Sequence, residues 1–419
     1  MENTTNSKSN NQNSPIVELD PKTIEIIKST APVLAEHGEA IAVRLYELLL
    51  SSEPELTQFF NPSNQSSGKQ AKALANAVYA VAANIDNLAP LESAVVQIAH
   101  KHRSLQIQPE HYPIVGENLL LAIQQILRIE PTSEVITAWA KAYEFIANIF
   151  IDLEARMYKE AESQPGGWSG FKDFKVIKKE KESSVITSFY LQPSDGGPIT
   201  NYFPGQYLTV KIRRPQDSYA QIRHYSISDA PGKDYYRISV KREESFGESG
   251  GVSAYLHDHL EEGGTISLAA PAGTFTLDLS SSRPLVLISG GVGLTPLVSM
   301  LNATVELQPN RPIIFIQAAL NGTVHAMKDY ITSMTKTYPH VKSFVCYEKP
   351  TELDYLEKNF HQEGFINAKW LEEILEELNS DFYFCGPTAF MSTINSILNE
   401  LKIPQAQRQF EFFGPMQNI

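Results

Sequence analysis

The sequence predicts a multidomain chain: an all-α domain, then a β-rich domain, then an α/β domain built on a parallel sheet. Three observations carry this. From about residue 20 to residue 160, apolar positions recur at spacings of three and four, with short polar breaks at Ser51-Ser52-Glu53-Pro54 and Asn61-Pro62-Ser63-Asn64. After Gln164-Pro165-Gly166-Gly167 the texture changes to short strand-like runs, such as residues 184–190 and 206–212. From Pro284 onward, apolar strands at residues 285–288, 313–316 and 382–384 alternate with helical stretches such as 370–378, the mark of a parallel sheet. No repeat of fixed period is present.

Length and composition agree with this division. At roughly 150 residues per domain, 419 residues make two or three domains, and 42% apolar with 20% charged residues is the balance of a globular chain. Acids outnumber bases 48 to 35, so a nucleic-acid or anionic-membrane partner would need a basic patch, and the sequence has none. Two cysteines, Cys346 and Cys385, exclude a disulfide framework and point to a reducing, cytoplasmic setting. Residues 1–16 are Asn/Ser-rich and lack the basic-then-apolar pattern of a signal peptide, so they read as a disordered tail. The longest uncharged stretch, residues 284–301, is interrupted by Gly290, Gly291, Gly293 and Pro296, which argues against a membrane span.

In the helical region, three polar side chains fall on apolar stripes. His102 continues Val95, Ile98 and Ala99; Tyr46 joins Ala42, Leu45 and Leu49; Glu154 continues Tyr143, Ala147, Phe150 and Ile151. An inward imidazole, phenol and carboxylate on three helices must find partners, and together they suggest a site.

These residues resemble the globin domain of the flavohaemoglobins. The resemblance runs from Leu19 to Trp168 and rests on Arg44-Leu45-Tyr46-Glu47, Phe59-Phe60-Asn61-Pro62-Ser63-Asn64-Gln65, Ile98-Ala99-His100-Lys101-His102, residues 108–117 and Ala138-Trp139-Ala140-Lys141-Ala142-Tyr143. It implies one haem b with His102 as proximal iron ligand, Phe60 packed on the haem face, Gln70 and Leu74 bordering the distal pocket, and Tyr46 as hydrogen-bond donor to bound oxygen. Tyr112 and Glu154 would form the relay behind the proximal histidine, making the imidazole more electron-donating.

The run Arg223-His224-Tyr225-Ser226-Ile227-Ser228 reads as a barrel strand presenting Arg223, Tyr225 and Ile227 to one face and His224, Ser226 and Ser228 to the other. A guanidinium can pair with a diphosphate, an aromatic ring can cover an isoalloxazine, and a hydroxyl can reach a ring nitrogen. Arg-x-Tyr-Ser resembles the motif of the ferredoxin-reductase-like flavoproteins, as do Pro204-Gly205-Gln206-Tyr207 and Pro271-Ala272-Gly273-Thr274-Phe275. The resemblance implies one FAD, with Tyr207, Arg223, His224, Tyr225 and Ser226 as contacts. Gly250-Gly251-Val252-Ser253 opens a helix, where free backbone N–H groups and Ser253 favour a diphosphate.

Gly290-Gly291-Val292-Gly293-Leu294-Thr295-Pro296 follows a strand and precedes a helical run, so the backbone can approach a pyrophosphate at a helix N-terminus. The Thr-Pro ending resembles the reductase family and implies NADPH or NADH bound by Gly291, Val292, Gly293, Leu294, Thr295 and Pro296. Cys385-Gly386-Pro387 resembles the segment bordering the nicotinamide, with Cys385 beside the cofactor. At the C-terminus, Phe412, Phe413, Gly414 and Pro415 resemble the family's segment over the flavin, and Lys101 and Glu411 correspond to positions that tune the haem potential between the two domains. After residue 316, the sequence offers neither an acid for a ribose diol nor an arginine for a 2′-phosphate, so NADH and NADPH both stay open.

The expected domains are thus a disordered tail, 1–16; a globin domain, 17–160; an antiparallel β-barrel FAD-binding domain, 168–279; and an α/β NAD(P)-binding domain, 283–419. A hydride delivers two electrons at once and a haem accepts one, so the flavin is the required converter. The resemblance implies a monomeric nitric oxide dioxygenase that turns nitric oxide and O2 into nitrate with electrons from NAD(P)H. The alternatives are a reductase of ferric iron or another acceptor with a regulatory globin, and an oxygen or redox sensor.

Overall fold

The computed structural model describes residues 19–60, 68–215, 217–243 and 251–414. The first domain is helical: α1 (Pro21–Ser52), α2 (Lys69–Ala83), α3 (Glu92–Ser104), α4 (His111–Leu127) and α5 (Glu134–Ser163). Local signals set the helix starts. The Asp20 side chain accepts from Thr23 N and Pro21 supplies a preset φ at the first turn of α1; Ser133 caps α5 by accepting from Ile136 N. The buried stripe Ile27, Leu34, Ile41, Leu45 of α1 packs with Ala82, Leu119, Ile123 and Trp139 from the other helices. Burying each large aliphatic side chain contributes about 1.5–3 kcal/mol, and that packing holds the helices together more than their propensity does.

The second domain is a six-stranded antiparallel sheet, β1 (Lys172–Lys181), β2 (Ile186–Pro193), β3 (Tyr207–Ile212), β4 (Gln221–Ser226), β5 (Tyr236–Lys241) and β6 (Thr265–Ala272), in the order β4-β3-β6-β1-β2-β5. Ile227 bridges Ile238, bringing the two edge strands together and closing a barrel around Phe174, Phe189, Leu208 and Tyr236. Helix α6 (Val252–His259) covers one end.

The third domain has six parallel strands in the order β10-β9-β8-β7-β11-β12: β7 (Leu285–Gly290), β8 (Ile313–Ala319), β9 (Val341–Tyr347), β10 (Gln362–Glu363), β11 (Asp381–Cys385) and β12 (Arg408–Glu411). Leu285 and Leu287 pack under α7 (Leu294–Leu307) and α8 (Lys328–Thr337), and, after the short α9 (Glu352–Glu357), Val286 and Ile288 face α10 (Ala368–Ile374) and α11 (Thr388–Glu400). Both faces of the sheet are therefore covered, which is why its strands are apolar throughout. The predicted three-part architecture is the observed one. The sequence reading overextends one helix: α10 stops at Ile374, not at residue 378, because Leu375 turns extended and buries its side chain in the core.

The chain runs outward from β7 through β8 and β9, then returns to place β11 on the other side of β7. The switch point between β7 and β11 opens a crevice at the carboxyl ends of the strands. There the turn Gly291–Gly293 packs against the end of β11, and a Cβ on Gly293 would lie 2.1 Å from the Cys385 carbonyl oxygen. Gly293→Ala is expected to destabilise the chain by about 2 kcal/mol or more. Chemical denaturation checks this, and a midpoint equal to wild type would contradict the close approach.

Candidate active site

One continuous cavity of about 1620 Å³ runs from the helical domain into the seam with the barrel. It exceeds the roughly 300–1,000 Å³ of an ordinary small-ligand pocket, as a void holding two cofactors must. Its helical part is lined by Tyr46, Phe60, Gln70, Leu74, His102 and Tyr112, and its barrel part by Tyr207, Arg223, His224, Tyr225, Ser226 and Ser253.

His102 sits in the last turn of α3, on the inward stripe with Val95 and Ile98. Its Nδ1 lies 2.8 Å from Glu154 Oε1 and 3.1 Å from the Tyr112 hydroxyl, and that hydroxyl donates to the same carboxylate oxygen at 2.7 Å. A carboxylate acceptor requires the proton on Nδ1, which leaves the lone pair of Nε2 for the cavity. Glu154 is buried on α5, Phe150 packs against the imidazole at 5.5 Å, and Tyr143 donates to the Tyr112 carbonyl at 2.6 Å while resting on Gly116. Burial, then the bond to Glu154, pushes the Tyr112 phenol far up, so it remains a donor.

Tyr46 on α1 accepts from Gln70 Nε2 on α2 at 3.4 Å and meets Phe60 edge-on at 5.3 Å. Burial raises its pKa against the weaker opposing effect of Gln70, so the hydroxyl keeps its proton. An apolar chamber with one lone-pair nitrogen and a separate phenol donor fits a haem whose sixth position takes a small diatomic.

The barrel part fits a flavin. Arg223, half-buried on the edge strand β4, uses one terminal nitrogen on the Ile222 carbonyl and another on Gln221 Oε1, and the residue still lines the cavity. Helix α6 opens into the cavity at Gly251, Val252 and Ser253; Gly250 lies outside the described residues. The expected division of the strand into two faces holds: Arg223 bonds Gln221 on one face and His224 stacks on Tyr207, the partner of Ser226, on the other, and the void is lined by residues of both faces, Arg223, His224, Tyr225 and Ser226.

The seam itself is polar. Ser104 Oγ lies 3.1 Å from His224 Nε2, Tyr207 stacks on His224 at 4.6 Å, Gly273 N donates to His100 Nδ1 at 3.3 Å, and Arg103 donates to the Pro271 carbonyl. Ser104 and Arg103 were invisible in the sequence, since neither lies on the inward stripe of α3. Burial, and then Lys101 and Arg223, press His224 down to about 3, so it is neutral.

Lys101 and Glu411 both line the cavity, and Lys101 Nζ donates to the Gly414 carbonyl at 3.0 Å. Burial lowers Lys101 against the pull of Glu411; burial raises Glu411 to about 8 against the pull of Lys101. Glu411 Oε2 has no hydrogen-bond partner among the described residues. Phe412, Phe413 and Gly414 also line the void, while Pro415 lies outside the described residues. Of the glycine-loop residues only Val292 and Thr295 reach the cavity; Gly291, Gly293, Leu294 and Pro296 form the adjoining turn and helix start. Cys385 is fully buried in the core and does not line the cavity.

Three family models match the chain: Globin over residues 43–150, Oxidoreductase FAD-binding domain over 173–277 and Oxidoreductase NAD-binding domain over 287–396. The chain is 51% identical over 402 residues to the flavohemoprotein of Bacillus cereus, covering 96% of this chain and 100% of that one. To the flavohemoprotein of Bacillus subtilis it is 47% identical, covering 96% and 99%. Among solved structures, flavohemoglobin from Malassezia yamatoensis with bound FAD and heme matches at TM-score 0.81 and 25% identity, covering 94% of this chain and 100% of that one. The flavohem-like FAD/NAD-binding domain of nitric oxide dioxygenase from Vibrio cholerae matches at TM-score 0.53 and 32% identity, covering 58% and 99%.

Because Glu411 titrates near 8 in place of its usual 4.5, the folded chain holds a proton that the unfolded chain releases, and stability falls as pH rises from 4.5 to 8. Glu411→Gln removes that loss. Thermal unfolding across this window is expected to show the variant gaining on wild type as pH rises; a difference independent of pH would contradict the burial of the acid.

Proposed function

The chain belongs to the flavohemoprotein family, an oxidoreductase family with haem, FAD and NAD-binding sites, and on that premise we propose that it is a nitric oxide dioxygenase. The observation that carries the reading is the Glu154–Tyr112–His102 set, facing the same cavity as Tyr46 and as the flavin strand. The overall reaction joins nitric oxide, O2 and one electron into nitrate, so one NAD(P)H serves two turnovers. When bound, the haem supplies an iron centre for small diatomics, and the flavin divides an electron pair into single electrons.

The protein side follows from the residues. His102 Nε2 would hold the iron, and the bond of its Nδ1–H to the Glu154 carboxylate fixes the ring and would make the imidazole a stronger donor. Tyr112 shares the Glu154 carboxylate and keeps it from turning away. The Tyr46 hydroxyl, still protonated, donates to the polar diatomic substrate, and Gln70 fixes its direction. Phe60 and Leu74 keep water and larger ligands out. Arg223 would pair with the flavin diphosphate beside Ser253 at the start of α6, with Tyr207, His224, Tyr225 and Ser226 holding the ring system and Phe412, Phe413 and Gly414 covering it. Gly291 to Pro296 receive the nicotinamide cofactor at the switch point. Lys101 and Glu411 set the field between the haem and flavin sites, where burial magnifies a charge: Lys101 is the cation, and Glu411, raised to about 8, holds its proton below that pH. Both cysteines are free and buried, as suits a reducing cytoplasm. The Vibrio cholerae neighbour, named as part of a nitric oxide dioxygenase, supports the same chemistry.

Nitric oxide consumption at an electrode, in air, tests the reading. Rapid catalytic loss that begins only with NAD(P)H is expected; persistence of nitric oxide while NAD(P)H is oxidised would favour a reductase of other acceptors. His102→Ala is expected to lose haem while keeping FAD and NAD(P)H-driven dye reduction, and normal haem content would sink the ligand assignment. Tyr46→Phe is expected to lower nitric oxide turnover by about tenfold to a hundredfold, the worth of one hydrogen bond to a charged group. An unchanged rate would remove Tyr46 from the reaction.

A further inference from the structure

A second buried polar cluster joins the barrel to the nucleotide-binding domain, away from the haem. Three residues past Ser226, the chain places Asp229 against α7. The Asp229 carbonyl accepts from Ser299 Oγ at 2.6 Å and from the Tyr202 hydroxyl at 2.8 Å. Its carboxylate accepts from Asn302 Nδ2 at 2.8 Å and from the Tyr235 hydroxyl at 3.0 Å, with Arg237 Nη1 at 3.8 Å. Ser299 and Asn302 stand one turn apart on the helix that opens at Leu294, just after the glycine turn. Arg237 in turn lies between two rings, 5.8 Å from Tyr190 of the barrel and 5.7 Å from Tyr330 of α8. An anion and a cation of the barrel thus each grip the neighbouring domain.

All four of Asp229, Arg237, Ser299 and Asn302 are buried. Burying such groups adds little net stability, because desolvation offsets their attraction, but it penalises every other arrangement of the two surfaces. The cluster therefore selects one orientation. The elements it selects are the strand carrying Arg223, Tyr225 and Ser226 and the helix continuing from Val292 and Thr295, the two sides between which a flavin and a nicotinamide must meet.

We propose that Asp229 is a positioning residue for the nicotinamide-to-flavin step, holding α7 in register with the flavin strand through Ser299 and Asn302. The step moves one hydride, a proton with two electrons, from the dihydronicotinamide to the flavin, and a misplacement of about 1 Å can cost on the order of a hundredfold in rate. The inference rests on the FAD- and NAD-binding assignment and is independent of the acceptor at the haem.

The test is anaerobic stopped-flow reduction of the fully loaded chain by NADH, without nitric oxide, in wild type, Asp229→Ala, Asn302→Ala and Lys233→Ala. Lys233 forms an exposed ion pair with Glu306 across the same boundary at 2.6 Å and serves as the control. Expected in the first two variants are a fall of about tenfold or more in the limiting rate of flavin reduction, a weaker charge-transfer absorbance between oxidised nicotinamide and reduced flavin, and unchanged FAD content and NADH dissociation constant. Lys233→Ala should stay within about twofold of wild type. Asn302→Ala lies outside the barrel and decides the matter should Asp229→Ala fail to fold. Limiting rates within about twofold of wild type, or a fall matched by loss of FAD, would overturn the proposal. Failure of wild-type flavin to reduce would instead overturn the cofactor assignment.

Discussion

The functional architecture depends on one imidazole held from behind. Glu154 is buried, and a buried carboxylate needs partners; here these are the His102 Nδ1–H and the Tyr112 hydroxyl. Losing either would strand a charge in an apolar helix bundle, so the pair fixes the rotation of the imidazole as firmly as packing does. Since His102 lies in the last turn of α3, its orientation also fixes what the next residues touch. Arg103 and Ser104 face outward onto the barrel, at Pro271 and His224. A single helix end thus connects the chamber of the haem site to the strand of the flavin site.

That connection explains the unusual burial of charge at the seam. Lys101 and Glu411 face the shared cavity without a direct hydrogen bond to one another, each shifted toward neutrality by burial and drawn back by its partner. In a region of low dielectric, such groups act on any nearby redox centre far more strongly than at a surface. His224 stays neutral between them, so it adds a hydrogen bond to Ser104 without adding charge. The other boundary, at Asp229 and Arg237, is rigid in a different sense: it is dense with hydrogen bonds and selects one orientation. One seam gathers a buried lysine and a buried acid beside both cofactor sites, and the other joins two domains through hydrogen bonds.

Much of this was legible in the sequence, for physical reasons. Helical periodicity placed His102, Tyr46 and Glu154 on inward stripes because a buried face must be continuous. Alternation and apolar runs separated the barrel from the parallel sheet because the first has one wet face and the second has none. What escaped was tertiary. Ser104 and Arg103 lie off the apolar stripe of α3 and gain meaning only when the barrel is docked. Asp229 reads as a turn residue beside Ala230-Pro231-Gly232, and nothing local shows that Asn302 will meet it. The two-faced reading of residues 223–228 holds, but nothing local showed that the cavity would run along both faces of β4.

The two cofactor sites share a single cavity, so electrons are expected to pass from one to the other within it. The most direct measurement of that passage is the haem absorbance spectrum after NADH is added without oxygen, in loaded protein and in protein stripped of FAD but not of haem. Reduction of the haem in the loaded chain and none in the stripped chain is the predicted result. Flavin bleaching with the haem left oxidised would contradict the account, whatever the protein then does with nitric oxide.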